Sequence, residues 1–245
     1  MSSISRIYHP FSLKEQEVVN LDSKASHHIG RVLRAKVGDA LTLFSGKGGE
    51  YLGTIAKIDK KTVGVRITEF VDREVESPLQ LHLAQGITRG EKMDFIIQKA
   101  VELGVKTITP LITERSNQRF TEEREIKRLE HWRSIAISAC EQSGRNRVPE
   151  IAKPIAYLDW LQSVPNAFGF VLSPHVTEQT IQPPPSLDTM VYLIIGPEGG
   201  LSPREIAAAQ QFFPLNIGPR VLRAETAPIT AISILQFKFG DLGSI

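Results

Sequence analysis

Apolar and polar residues alternate in three stretches near the start of the chain, 40–44, 51–58 and 62–70. A period of two marks strands with one wet face, so these stretches predict a small antiparallel barrel or sheet. Turn-forming runs separate them, Ser45-Gly46-Lys47-Gly48-Gly49 and then Asp59-Lys60-Lys61. Residues 25–33 predict a short helix on which His28, Arg31 and Arg34 recur at helical spacing and share a face. The polar run from Val71 to Pro78 has the character of a linker. It divides the chain into a β-rich domain over residues 1–72 and a second domain over 73–245.

Beyond the linker the pattern changes to short apolar runs alternating with helical periodicity. Residues 79–84, 106–112, 168–172, 191–195 and 215–217 are the candidate strands. An amphipathic helix follows over 91–103, with Gly104 at its C-terminal end, and a long helix runs from Thr121 to about Gln142. Ser202-Pro203-Arg204-Glu205 is a capping box with proline at the first helical position. The last helix, about 227–239, is apolar nearly all round, which predicts burial on more than one side, within the domain or against another subunit. Strands of this kind separated by helices indicate an α/β domain with a parallel sheet covered on both faces.

Two of these strands run into glycine-marked loops, Gly196-Pro197-Glu198-Gly199-Gly200 and the segment Gly218-Pro219-Arg220-Val221-Leu222-Arg223-Ala224-Glu225-Thr226-Ala227. Loops at adjacent strand ends of a parallel sheet are where small ligands bind. The dinucleotide pattern G-x-G-x-x-G does not occur, and Gly86-Ile87-Thr88-Arg89-Gly90-Glu91-Lys92 is a poor phosphate loop, with Glu91 where lysine belongs. Glycine lets main-chain groups approach a flat ligand, and Ile195, Leu201, Val221 and Leu222 supply apolar walls, which suits an adenosine-like ligand.

Of the 245 residues 41% are apolar and 23% charged, an ordinary globular balance, and the net charge of +2 does not by itself announce nucleic acid. Basic residues cluster locally, however, around Arg6 to Lys36 and again from Arg115 to Arg147, which suits contacts to a polyanion. The single cysteine, Cys140, excludes an internal disulfide and fits a reducing, cytoplasmic setting. It has no cysteine partner for a metal knuckle, so no metal is expected, and Cys140 is expected to be a buried small residue. No apolar run reaches the ~20 residues that span a bilayer, so no membrane partner is expected.

These motifs together resemble a known family. The two glycine loops, Arg89-Gly90-Glu91-Lys92-Met93 and Ala139-Cys140-Glu141-Gln142-Ser143-Gly144-Arg145-Asn146 are similar to those of the RsmE enzymes of the SPOUT superfamily. Arg6-Ile7-Tyr8-His9 and His28-Ile29-Gly30-Arg31-Val32-Leu33-Arg34 resemble that family's N-terminal, PUA-like RNA-binding domain. The chain departs from the family pattern at Ser173, where the loop runs Ser173-Pro174-His175, and at Ala224.

The resemblance implies a trefoil-knotted parallel-sheet domain behind a small β-barrel domain, and a homodimer. It also implies an S-adenosylmethionine-dependent methyltransferase acting on N3 of uridine 1498 in 16S rRNA of the small ribosomal subunit. A methyltransferase acting elsewhere on RNA, or a non-catalytic ribosome-assembly factor, is the alternative. The cofactor residues it implies are Leu172, Ser173 and Pro174, then Ile195, Gly196, Pro197, Gly199 and Gly200. From the later loop they are Ile217, Gly218, Val221, Leu222, Glu225, Thr226 and Ala227.

Methylating N3 requires loss of its proton and stabilisation of the anion on the base. Arg223 is the first candidate to stabilise that anion and Arg145 the second. Glu198 either accepts the proton or holds its own loop. Arg6, His9, His28, Arg31 and Arg34 are the expected phosphate contacts, joined by Arg89, Lys92, Arg115, Arg119 and Arg147.

Overall fold

The computed structural model describes residues 5–116, 121–173 and 181–243, and in it the alternating strands and the continuous apolar strands form separate sheets. Two compact units result, Met1–Glu76 with Cys140–Val148, and Ser77–Ala139 with Pro149–Ile245. Pro174 and Arg119, both expected site residues, lie outside the described residues.

In the shorter unit the strands are β1 (Ser5–Tyr8), β2 (Val18–Asn20), β3 (Ala40–Phe44), β4 (Glu50–Ile58) and β5 (Val63–Val71), in the order β1-β3-β4-β5-β2. The last three match the alternation. The first two hold four and three residues, too few for a period to register. Since β1 pairs with β3 in parallel, the sheet is mixed and not antiparallel throughout. Irregular pairing of β4 with β5 at Leu52/Gly53 and Ile55/Lys57 bends this sheet. Ile7, Leu41, Leu43, Ile55, Val65 and Ile67 fill its core with Ile29.

Asp22 caps α1 (Ser23–His27) by accepting a bond from the Ala25 N–H at 2.8 Å. The chain then widens into a π-helical turn over His28–Val32, closed by the Leu33 N–H donating to the His28 carbonyl at 2.9 Å. Arg34 follows with a φ of 53°. The single helix expected over 25–33 is therefore corrected. The wider turn and the left-handed residue break the 3.6 period that would have aligned His28, Arg31 and Arg34.

The stretch expected to be a linker is tied into the shorter unit. Glu74 accepts from the Gly49 N–H at 2.8 Å, Arg73 pairs with Glu50 at 3.2 Å, and Glu76 pairs with Arg145 at 2.6 Å. Arg73, Glu74 and Glu76 thus have local partners, which composition alone does not reveal.

The longer unit carries a seven-stranded parallel sheet. Its strands are β6 (Leu81–Gly86), β7 (Thr107–Ile112), β8 (Glu150–Ile151), β9 (Ile155–Ala156), β10 (Phe168–Leu172), β11 (Val191–Ile195) and β12 (Phe213–Leu215). The order is β12-β10-β11-β6-β7-β8, with β9 also on β7. The helices are α2 (Lys92–Glu102), α3 (Glu122–Ser143), α4 (Tyr157–Ser163), α5 (Pro203–Ala208) and α6 (Thr226–Phe239).

The strand expected over 215–217 lies two residues earlier, with Pro214 tolerated because β12 is an edge strand. Strands β8 and β9 have two residues each and carry no periodic signal. Because β12, β10 and β11 are neighbours running the same way, their C-terminal ends lie side by side. The loops that follow β11 and β12 converge there.

Helix α6 buries Ala227, Pro228, Ala231, Ile232, Leu235 and Gln236 against α2 and β11. Gln236 spans this contact, donating to the Leu103 carbonyl at 2.7 Å and accepting from the Ser77 hydroxyl at 2.6 Å. Ile229 and Ile234 are half-buried, and Phe237 is 67% exposed. The helix is buried on one side within the unit, and its other apolar side is left open.

Candidate functional site

The loop after β11 is shaped by contacts that permit little substitution. At Gly196 an added Cβ would stand 2.7 Å from the Leu201 nitrogen, so only glycine fits. The Gly200 N–H closes a turn on the Pro197 carbonyl at 2.8 Å, and Gly200 has a φ of 67°. Gly196 and Gly199 need no positive φ, so their role is close approach. The expected capping box is present: the Glu205 N–H donates to the Ser202 hydroxyl at 3.1 Å, and the Ser202 N–H to Glu205 at 2.8 Å. Glu205 also accepts from the Glu114 N–H at 2.9 Å, fastening the loop after β7 to this one.

The loop after β12 begins with Asn216, whose side chain accepts from the Gly218 N–H at 2.7 Å. It ends where the Arg223 carbonyl accepts the Thr226 and Ala227 N–H groups at 3.0 and 3.1 Å, starting α6. The chain leaving β10 joins it through the Ser173 N–H, which donates to the Leu215 carbonyl at 2.9 Å.

These three strand ends surround a cavity of about 360 Å³. Leu172, Ser173, Ile195, Gly196, Pro197, Gly199, Gly200, Ile217, Gly218, Val221, Leu222 and Ala227 line it, all of them expected from the sequence. Glu198 lines it as well, with Leu201, expected as an apolar wall, and so do Arg115, Ile206, Asn216, Arg220 and Ala224, which were not expected as ligand contacts there. Asn216 had a legible signal, the N-x-G spacing of an Asx turn. Glu225 and Thr226 lie just outside the lining, and Val221 stands 99% exposed at its edge.

Main-chain groups and aliphatic side chains make up most of this wall, and its volume falls within the ~300–1,000 Å³ of small-ligand sites. The fit to an adenosine-bearing cofactor rests on that wall. At Gly200 and Gly218 nothing stands within 4 Å of where a Cβ would be, which leaves main chain open to a ligand, and Leu172, Ile195, Leu201, Ile217 and Leu222 offer an apolar slot.

An RNA methyltransferase domain profile matches residues 75–236, and an RNA methyltransferase PUA domain profile matches residues 21–68. The ribosomal RNA small subunit methyltransferase E of Buchnera aphidicola from Schizaphis graminum is 43% identical over 242 residues, covering 98% of each chain. That of Bacillus subtilis is 28% identical over 92% of each. This chain belongs to the ribosomal RNA small subunit methyltransferase E family. Two solved structures of high similarity hold bound S-adenosylmethionine. A methyltransferase of Legionella pneumophila has a TM-score of 0.91 and 42% identity, covering 98% of this chain and 99% of that one. The Neisseria gonorrhoeae methyltransferase E has a TM-score of 0.89 and 35% identity, with the same coverage.

Within this family member the charged residues near the cavity have specific partners. Glu198 accepts the Arg89 N–H at 3.0 Å and the Lys92 ammonium at 3.2 Å. Partial burial pushes its carboxyl upward, but the Arg89 and Glu198 main-chain N–H groups and Lys92 outweigh that and hold it below its ordinary value. A carboxylate held in this way is a poor proton acceptor. Of the two roles expected for Glu198, these bonds favour the loop-holding one. Arg115, expected on RNA, donates to the Gly199 carbonyl at 2.7 Å. Lys92, also expected on RNA, is engaged by Glu198. The side chain of Arg223 is exposed and is not part of the cavity lining.

Arg145 belongs to the shorter unit, where it is buried in its pair with Glu76. Arg6 is enclosed there too, bound to Glu50 and donating to the Asn146 side chain at 2.5 Å, with Phe44 beneath it at 5.2 Å. His9 is buried, and burial lowers its pKa against the pull of Asp22 and Glu17, so it is neutral. Arg6 and His9 are thereby corrected as phosphate contacts, because one is already paired and the other is uncharged and enclosed. Cys140 is buried, and burial pushes its thiol up to about 12, which leaves it unreactive.

His28, Arg31 and Arg34 are exposed on the same unit, as are Arg147 and, on the longer unit, Arg89. Arg147 has Glu74 at 3.7 Å. Arg31 also lines a groove of about 370 Å³ with His27, Lys60 and Lys61, bringing the helical turn and the β4–β5 hairpin tip together. The two lysines had been legible only as a turn. Among the described residues no group of three or more His, Cys, Asp or Glu side chains could hold a metal ion. No helix among them is long and apolar enough to cross a membrane.

Proposed function

We propose that this protein is an S-adenosylmethionine-dependent methyltransferase that modifies N3 of a uridine, position 1498, in 16S rRNA of the small ribosomal subunit. The cavity at three neighbouring strand ends, walled by the loops after β11 and β12, is the observation that carries this reading. Two relatives of the same fold hold S-adenosylmethionine, which supports it. Leu172, Ile195, Gly196, Pro197, Ile217, Leu222 and Ala227 would hold the cofactor, with Glu225 and Thr226 beside them. Bound there, it supplies an electrophilic methyl group on a sulfonium.

The chain's own residues must then present the base. N3 lies on the pairing edge, so the uridine has to be unpaired before it enters. Arg223, at the end of the loop after β12, is the side chain we assign to the anion that forms on the uracil ring. Arg145 remains a second candidate only if Glu76 releases it. The exposed cations His28, Arg31 and Arg34, with Arg89 and Arg147, would bind RNA phosphates and fix register without reading the base. The half-open apolar side of α6 supports a homodimer, since a two-fold contact needs a self-complementary apolar surface. Action on rRNA would suit a cytoplasmic location.

Nucleoside mass spectrometry of 16S rRNA from cells lacking this protein tests the target. The expected result is loss of N3-methyluridine at one position, restored by the wild-type chain and not by Arg223→Ala. Loss of a ribose methyl or a different base methyl would assign another RNA position, and unchanged rRNA would point to a non-catalytic assembly factor.

A further inference from the structure

Lys92 opens α2, directly after the loop that leaves β6. Its ammonium lies between two carboxylates from separate segments of the chain, 3.2 Å from Glu198 Oε1 and 4.0 Å from Glu225 Oε2. Glu198 is the tip of the loop after β11. Glu225 is the capping residue of α6, at the end of the loop after β12, and it makes no side-chain capping bond. Its Oε2 is buried and has no hydrogen-bond partner, so Lys92 is the cation facing it. Glu198 lines the cavity, and so do Ala224 and Ala227 on either side of Glu225.

We propose that Lys92 is a positioning residue for the cofactor site, a cationic clasp that holds two walls of the cavity in register, and that it is not an RNA phosphate contact. The geometry gives the reason. Two like charges converge from two loops, and one of them has an oxygen cut off from water. Without a cation between them the carboxylates repel, and the buried oxygen loses its counter-charge. Relief comes by moving the two loops apart. The Arg115 bond to Gly199 restrains the first loop alone, so it cannot replace a group that touches both.

This inference rests on the reading that the cavity binds S-adenosylmethionine, and the test separates the two. Wild-type protein is titrated with S-adenosylmethionine by calorimetry first, and absence of binding there overturns the reading of the site itself. With wild-type binding established, Lys92→Gln should weaken cofactor affinity about tenfold or more, with KM for the cofactor rising more than kcat falls. Lys92→Arg should recover most of the affinity. Lys92→Gln combined with Glu225→Gln should recover part of it, because the isolated buried carboxylate is gone. That double variant also serves if Lys92→Gln alone proves too unstable to titrate. The salt dependence of RNA binding should stay unchanged, whereas loss of one phosphate contact lowers the slope by roughly 1. Unaltered cofactor affinity in Lys92→Gln, or a reduced salt slope, overturns the clasp.

Discussion

Arg145 grips Glu76 through two bonds, Nε to Oε1 at 3.0 Å and a terminal nitrogen to Oε2 at 2.6 Å, and only 3% of Arg145 is exposed. Removing one partner of such a pair strands the other charge, at a cost of about 3–5 kcal/mol. Arg145→Met should therefore lower the urea midpoint sharply. The double variant with Glu76→Leu should lose less than Arg145→Met alone. If Arg145→Met melts like the wild type, the pair contributes little and Arg145 is free for another role.

His82, on β6, sits among Trp160 and Tyr192 with its Nε2 2.8 Å from the Thr109 hydroxyl. Burial lowers its pKa from 6.5 to about 4. The folded protein then keeps His82 neutral while the unfolded chain takes up a proton, so stability is lost as pH falls from 6.5 towards 4. The linkage amounts to about 3 kcal/mol at most, from ~1.36 kcal/mol for each pH unit of displacement. Denaturation at pH 7 and pH 5 should show a smaller acid-induced loss in His82→Gln than in the wild type. Equal losses would mean that His82 titrates normally.

The parallel sheet, the capping box and most of the cavity lining were legible because they depend on local pattern. Apolar runs mark buried strands, and glycine marks close backbone approach, as at Gly196. What periodicity could not show was pairing at a distance. Arg6, Arg115 and Arg145 look alike as basic residues, yet each is bound to a partner dozens of positions away, Glu50, the Gly199 carbonyl and Glu76. Arg31, Arg34 and the Lys60-Lys61 turn, by contrast, are exposed. The two-residue strands β8 and β9 were invisible for a simpler reason, since a period needs several residues to repeat.

Arg31 and Arg34 remain exposed on the shorter unit. Replacing both with alanine should lower the slope of log affinity for RNA against log salt by roughly 1.4–1.8, the release of counterions from two phosphates. Cofactor binding measured without RNA should not change. An unchanged salt slope would place the phosphate contacts elsewhere on the molecule.

Arg115 donates to the Gly199 carbonyl and lines the cavity. A hydrogen bond from a charged donor contributes about 1.5–3 kcal/mol when buried and less where exposed, as Arg115 is. Arg115→Ala should therefore weaken S-adenosylmethionine binding by a few-fold. Calorimetry provides the check. A loss confined to RNA affinity would return Arg115 to the set of phosphate contacts.

The central claim is that the cavity at the three strand ends presents a methyl donor to a uridine nitrogen, and single-turnover transfer from labelled S-adenosylmethionine to small-subunit rRNA lacking the mark tests it most directly. Wild-type protein should place one labelled methyl on uridine N3, as read by nucleoside mass spectrometry. Gly196→Val, whose side chain would collide with the Leu201 backbone and enter the cavity wall, should transfer none while still binding RNA. Undiminished transfer by Gly196→Val, or a methyl found on any atom other than uridine N3, would contradict the account.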